Sequence, residues 1–348
     1  MKQSLLSFGI ILCLASGVRA DGAPKPVKVF ILAGQSNMEG KAKMSLLDYQ
    51  ADQPATRELY APYRKDGRWI KRDDVWIKFL TRKGPLTVGY GSPNCIGPEL
   101  GFGTVVGDRY EEQVLLIKTA WGGRSLYRDF RPPSAGLPKK EILEAMLEAQ
   151  QKRNPATTMG DVKKSFGASY RAMLEEVNAT LAKLKTHFPD YKDQGYELAG
   201  FVWFQGWNDM ISGDYTAEYA TNQKHLIADV RKDLKSPKLP FVIGQMGVDG
   251  NEPSAQLNKF KEAQAAVLEE ASLKSNVALV KTDRFWDAEA YAVYKKGWRQ
   301  NLDAWNKVGS DFPYHYLGSG KTMVRIGRAF GEAMLELRGE SKRAASGR

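Results

Sequence analysis

The chain of 348 residues predicts an α/β protein, a three-layer α/β/α sandwich around a five-stranded parallel sheet. Two observations carry this expectation. Five apolar runs, Val27–Ala33, Val114–Thr119, Leu198–Phe204, Phe241–Gln245 and Val277–Lys281, are continuous rather than alternating, as in strands covered on both faces. Between and after them, apolar residues recur at helical spacing: Tyr170, Met173, Leu174, Val177, Leu181 and Leu184, then Tyr219, Leu226, Val230 and Leu234, and finally Met323, Ile326, Phe330, Met334 and Leu337. Open sheets of this kind bind ligands beyond the carboxyl ends of their strands, so the residues that follow each strand are the ones to inspect.

Residues 1–20 predict an export signal rather than part of the fold. Lys2 precedes an apolar stretch from Leu5 to Leu14, and Val18-Arg19-Ala20 resembles a cleavage site. The stretch is too short to span a bilayer, which requires about 20 apolar residues, so no integral membrane segment is expected after cleavage. Export would deliver the chain to a periplasm or to the medium. The mature chain keeps 49 basic and 40 acidic residues, net +9, and one thiol, Cys95, so no internal disulfide is expected. Residues 21–340 predict a single domain and 341–348 a polar tail. The charges are mixed, as in Lys71-Arg72-Asp73-Asp74, and are not interleaved with aromatics, which argues against nucleic acid as a partner. Three histidines and one mature cysteine make no zinc cluster, and no metal or other cofactor is expected. Residues 41–97 and 124–165 follow strand ends, lack clear periodicity, and are expected to build walls or lids around a site.

The strand ends carry the chemistry. After the first strand stands Gly34-Gln35-Ser36-Asn37-Met38-Glu39-Gly40, in which flanking glycines permit a sharp turn that exposes a serine among free N–H groups. After the second comes Ala120-Trp121-Gly122-Gly123-Arg124-Ser125, and after the third Trp203-Phe204-Gln205-Gly206-Trp207-Asn208-Asp209. Asp311-Phe312-Pro313-Tyr314-His315 precedes the last helix. A serine, a histidine with a nearby acid, and several hydrogen-bond donors form the set that acyl transfer requires.

These blocks resemble the SGNH-hydrolase superfamily, specifically its sialate O-acetylesterase and carbohydrate esterase family 6 type of domain. Gly34-Gln35-Ser36-Asn37-Met38, Gly97-Pro98-Glu99, Trp121-Gly122-Gly123, Trp203-Phe204-Gln205-Gly206 and the late His315 occur in the family's order. The resemblance implies a flavodoxin-like sandwich and an esterase that removes O-acetyl groups from carbohydrate. It implies Ser36 as nucleophile, His315 as general base, and an oxyanion hole made by Ser36, Gly122 or Gly123, and Gln205. Gln35, Asn37, Arg124, Trp207 and Asn208 are the expected substrate contacts. One element departs from the family: its acid usually stands three residues before the histidine, where this chain has Phe312. Asp311, four before, is the expected orienting acid, with Asp209, Asp283 and Asp287 as alternatives and a dyad with a backbone carbonyl as another.

The other histidines have plainer readings. His225 falls in step with Glu218, Asn222, Asp229 and Lys232 on a face expected to be solvated, and His187 stands at a helix exit. Trp121 and Trp203 are expected in packing, and Glu99 as a brace for the helix after Gly97-Pro98. Three rival functions stay open: a lipase or thioesterase on the same fold, an impaired esterase that only binds carbohydrate, and a glycosidase with paired carboxylates.

Overall fold

The computed structural model describes residues 24–340, so the expected leader at 1–20 and tail at 341–348 lie outside the described residues. The central sheet has seven strands: β1 Val27–Gly34, β2 Arg72–Phe79, β3 Arg82–Leu86, β4 Val114–Ala120, β5 Tyr196–Phe204, β6 Phe241–Gln245 and β7 Val277–Lys281. They lie in the order β7-β6-β5-β1-β4-β2-β3. All neighbours pair in parallel except β2 with β3. The five strands expected from the sequence are present. Numbered among themselves they run 2-1-3-4-5 across the sheet, the flavodoxin order. Chain order reverses on either side of β1, which places the Ser36 turn at the switch point where such sheets bind ligands.

Two strands were not expected. β2 begins with the charged Arg72-Asp73-Asp74, and only Val75, Trp76, Ile77 and Phe79 of it are buried. Three charges at its start concealed a short apolar run, so residues 72–86 extend the sheet instead of serving only as a wall.

Six helices matter here: the single turn α1 Ser36–Glu39, α2 Glu99–Arg109, α3 Ala168–Ala182, α4 Gly213–Asp233, α5 Ala255–Ala265 and α6 Gly320–Leu337. Phe102 of α2 meets Phe30 of β1 edge-on at 5.4 Å, and Phe330 of α6 meets Phe204 of β5 at 5.3 Å. On α4, Tyr219 accepts a hydrogen bond from the buried Trp203 indole at 3.3 Å. The α4 face bearing His225 is not solvated as expected. Asn222 and Asp229 are buried, Asp229 accepts the Ser134 N–H at 2.8 Å, and Glu218 pairs with Arg131, because the 131–136 segment lies across that face. The helices Lys140–Gln151 and Met159–Ser165 bury Leu143, Val162 and Phe166 with Tyr127 in a side cluster of their own rather than forming a lid. Among the described residues no helix is long and apolar enough to cross a membrane.

One charge lies inside the sheet. Lys118 of β4 is fully buried, and its Nζ donates to Glu99 Oε2 at 2.6 Å and to the carbonyls of Glu39 and Tyr90 at 2.8 Å each. Burial pulls the Lys118 ammonium below its ordinary range, against the pull of Glu99. All three ammonium protons have acceptors, and Glu99 also takes the Gly97 N–H at 2.8 Å. Removing one partner of such a pair leaves an uncompensated buried charge and typically costs about 3–5 kcal/mol. Glu99→Gln and Lys118→Met should each lower the urea unfolding free energy on that scale. The double variant should recover part of the loss. A single variant within about 1 kcal/mol of wild type would contradict this account.

Candidate active site

Gly34 ends β1 at φ +155°, and a Cβ there would lie 2.1 Å from the Phe204 carbonyl oxygen, so only glycine lets β1 turn against β5. The turn starts α1 with Ser36, which is 5% exposed. Among the described residues the Ser36 N–H has no acceptor, as expected in the first turn of a helix.

On one side of Ser36, β4 ends in Trp121-Gly122-Gly123. A Cβ on Gly122 would stand 3.9 Å from Ser36 Cβ, whereas nothing lies within 4 Å of Gly123, so Gly122 is the member of the pair beside the serine. Its N–H also lacks an acceptor among the described residues. A cleft of ≈ 760 Å³ opens here, lined by Glu39, Phe79, Arg82, Trp121, Gly122 and Arg124 among others. Residues 41–97 thus do wall the site as expected, with Met44, Gly89, Ser92 and Pro93 lining the cleft beside Phe79 of β2 and Arg82 of β3. Arg124 is half-exposed on the cleft and pairs with Asp129 at 3.2 Å.

On the other side, β5 ends in Gln205-Gly206-Trp207-Asn208-Asp209, held by Gln35. The Gln35 Oε1 accepts from the Gly206 N–H at 3.0 Å and from Gln205 Nε2 at 3.2 Å, and its Nε2 donates to Asn208 Oδ1 at 3.0 Å. Gln35, expected as a substrate contact, is therefore held as a buried clamp. Gln205, expected in the oxyanion hole, is likewise engaged within the protein. Its Nε2 also donates to Asp209 Oδ2 at 2.5 Å and to the Arg124 carbonyl at 2.9 Å, so its two protons are already committed. Asn208 has the complementary arrangement: its oxygen is held by Gln35, and its Nδ2 has no acceptor among the described residues. The resemblance assigns Gln205 to the oxyanion hole and Asn208 to substrate contact, whereas the free N–H of the two lies on Asn208.

Asp209 is fully buried. Its oxygens accept Gln205 Nε2 and the N–H groups of Leu126 and Tyr127, both at 2.8 Å. Burial pushes this carboxyl up to about 7, with the three donors pulling the other way. It fastens the loop after β4 to the loop after β5.

His315 lies in a tight turn before α6, with Asp311 Oδ1 at 3.0 Å from its Nδ1. Burial would raise the Asp311 carboxyl, but the hydrogen bond and charge of His315 hold it below the usual carboxylate range. The alternatives are engaged elsewhere: Asp209 with the two loops, Asp283 with Lys261 at 2.5 Å, and Asp287 with Ser319 Oγ at 2.6 Å. The turn tolerates positive φ at Tyr316 (51°) and Leu317 (61°), which is costly for such residues and is sustained by complete burial of both side chains. Asn37 Nδ2 donates to the Tyr314 carbonyl at 3.1 Å, tying the serine turn to the histidine turn. Asn37, at 4% exposure, thus serves as a scaffold contact through its Nδ2, while its Oδ1 has no hydrogen-bond partner among the described residues. Trp203 is core, whereas Trp121 and Trp207 are half-buried. Among the described residues no group of three or more His, Cys, Asp or Glu could hold a metal ion.

Comparison with known proteins gives the chain a family. A sequence profile for carbohydrate esterase, sialic acid-specific acetylesterase, matches residues 26–291. A probable carbohydrate esterase of Arabidopsis thaliana is 21% identical over 69% of this chain and 75% of its own length. A crystal structure of an Arabidopsis thaliana protein superposes with a TM-score of 0.51 at 17% identity, covering 89% of this chain and 98% of that one, which supports the fold. A carbohydrate acetylesterase from Xanthomonas citri is more distant, with a TM-score of 0.43 at 13% identity over 73% of this chain and 49% of that one. With three quarters of its length under one family profile, the chain belongs to the carbohydrate esterase, sialic acid-specific acetylesterase family.

Proposed function

We propose that this protein is an exported serine esterase that removes O-acetyl groups from carbohydrate through an acetyl-enzyme. The observation that carries the reading is the Asp311–His315 hydrogen bond at 3.0 Å, in a turn fastened to Ser36 by Asn37. The shifted acid was the one sequence feature that favoured a pure binding module, and a four-residue spacing reaches the imidazole after all. Export rests on the leader-like residues 1–20 alone.

In this mechanism Ser36 Oγ attacks the acetyl carbonyl carbon while His315 takes its proton. Asp311 accepts the Nδ1–H, fixing the tautomer and stabilising the imidazolium that forms. The tetrahedral oxyanion is met by the N–H groups of Ser36 and Gly122 and by the Asn208 amide. Gln205 stays behind them as a brace. The sugar hydroxyl leaves with the proton from His315, and a water activated by the same histidine then releases acetate. Trp207 and Arg124 are the substrate contacts this reading retains.

Hydrolysis of 4-nitrophenyl acetate and of an acetylated sugar tests the assignment. Ser36→Ala should abolish turnover of both, and Asp311→Asn should lower kcat about 10²–10⁴-fold. If Asp311→Asn is as fast as wild type, another group orients His315. Asn208→Ala should lower kcat about 10²–10³-fold with the unfolding midpoint unchanged. A large kcat loss confined to Gln205→Ala at unchanged stability would instead restore Gln205 to the oxyanion hole.

Asp209 makes a separate, pH-dependent prediction. Its folded pKa of about 7 lies above the unfolded value of 3.8, so the folded state holds the proton more tightly across that interval. Unfolding free energy of the wild type, relative to Asp209→Asn, should therefore fall as pH rises between those values and level off above. A difference that stays flat across the interval would mean that the three N–H donors keep this carboxyl ionised throughout.

A further inference from the structure

We infer that an exposed aromatic ridge beside His315 binds the sugars that flank the acetylated one, so that the substrate is an extended glycan chain rather than a free monosaccharide. The inference rests on the esterase reading. From the histidine outward the rings run without a gap. Tyr314 meets His315 edge-on at 4.5 Å and lies 5.3 Å from Trp207 on one side, and on the other it stacks on Phe312 at 5.4 Å with planes 7° apart. Phe312 in turn meets Trp298 at 6.1 Å.

These rings are not core. Phe312 is 37% exposed, and Trp207, Trp298 and Tyr314 are half-buried, whereas the nearby Trp305 and Tyr316 are buried. A contiguous set of aromatics that keep part of their surface open beside the candidate site marks a binding surface rather than incidental exposure. Rings of this kind offer apolar faces to the C–H surface of a pyranose, and the Tyr314 hydroxyl and Trp207 indole add polar ends for its hydroxyls. At the far end the Arg299 guanidinium lies 4.9 Å from the Trp298 ring centre, a donor placed for sugar oxygens.

Sheet order gives the path a direction. The ≈ 760 Å³ cleft is built from the ends of β4 and β2, on one side of β1, whereas Trp207 follows β5 on the other. Ser36 at the tip of β1 thus stands between the cleft and the aromatic ridge. Clefts of about 300–1,000 Å³ accommodate ligands far larger than one acetyl group. A glycan carrying its ester on an internal residue would occupy the cleft, the serine and the ridge at once.

The test is kcat/KM for chemically acetylated xylo-oligosaccharides of one to five units, read as the ratio of pentamer to monomer within each variant. That ratio is insensitive to damage at the catalytic centre, which lowers both values together. The wild-type ratio should be roughly tenfold, the order expected of one or two ring contacts, and should fall toward one in Phe312→Ala and in Trp298→Ala. A wild-type ratio near one overturns the inference, and so does a raised ratio that survives both substitutions. If Phe312→Ala leaves the ratio unchanged but converts a dimer to a monomer in sedimentation, the ridge joins two copies of the chain and the inference fails. Wild-type inactivity on every ester, 4-nitrophenyl acetate included, would sink the esterase reading itself, an outcome distinct from a flat length profile.

Discussion

The Lys118 ammonium is the interaction on which the site is built. A lysine in the middle of a parallel sheet is tolerated only when every proton has an acceptor, and here the acceptors come from three separate segments. Glu39 O is the end of the Ser36 turn, Tyr90 O belongs to the segment that walls the cleft, and Glu99 opens α2. Because Glu99 also takes the Gly97 N–H, the charge pair fixes the segment leading into the helix as well as the helix itself. The Glu39 side chain then reaches Ser92 and Lys41. A requirement of the core, that a buried charge be satisfied, therefore sets where Ser36 and one wall of its cleft must stand.

A second clamp works from the opposite side and uses amides instead of charge. Gln35 joins the serine turn to the end of β5, and Asp209 joins the end of β5 to the loop after β4. The loops beside Ser36 on both sides of β1 are thus tied to each other as well as to the sheet. This matters for acyl transfer because oxyanion donors act by being fixed in place before charge develops. The histidine turn is held by a third device. Tyr316 and Leu317 are forced to positive φ, and the Tyr316 hydroxyl takes the Gly247 N–H at 2.8 Å while sharing a hydrogen bond with Thr282. Within the turn, the Leu317 carbonyl accepts the Asp311 N–H at 3.1 Å and the Phe312 carbonyl accepts the His315 N–H at 2.9 Å, which holds Asp311 and His315 in one closed loop.

What the sequence disclosed follows from which forces act locally. Strands covered on both faces carry long apolar runs, so β1, β4, β5, β6 and β7 were legible. β2 lies one strand in from the sheet edge and starts on charged residues, so no such signal existed for it. Ser36 was legible because its flanking glycines are required by backbone sterics within a few residues. Asp311 and His315 were legible because they are four residues apart around a proline. Lys118 was read only as part of an apolar run, since its partners come from residues 39, 90 and 99 and nothing near it in sequence signals burial of a charge. For the same reason the sequence reading placed Gln205 rather than Asn208 among the oxyanion donors: which amide keeps a free N–H depends on the neighbouring Asp209 and on Arg124 and Gln35 from two other segments. The face of α4 was misread because periodicity reports polarity, and buried polar residues such as Asn222 and Asp229 look the same as solvated ones until the segment covering them is known.

Two aspartates near Ser36 show how environment divides labour between identical side chains. Asp209 is enclosed entirely by protein, faces only N–H donors, and is pushed up to about 7 by burial. With no histidine against it, it has no proton to relay and serves as a fastener. Asp311 keeps partial contact with water, and its imidazole partner holds it below the usual carboxylate range. It therefore remains negative at neutral pH, the condition under which a carboxylate can stabilise a histidine as that histidine becomes positive. A carboxyl buried as deeply as Asp209 would lose that charge just where the reaction calls for it. On the proposed reading, the acid suited to the histidine is the one that keeps contact with water, four residues before it rather than three.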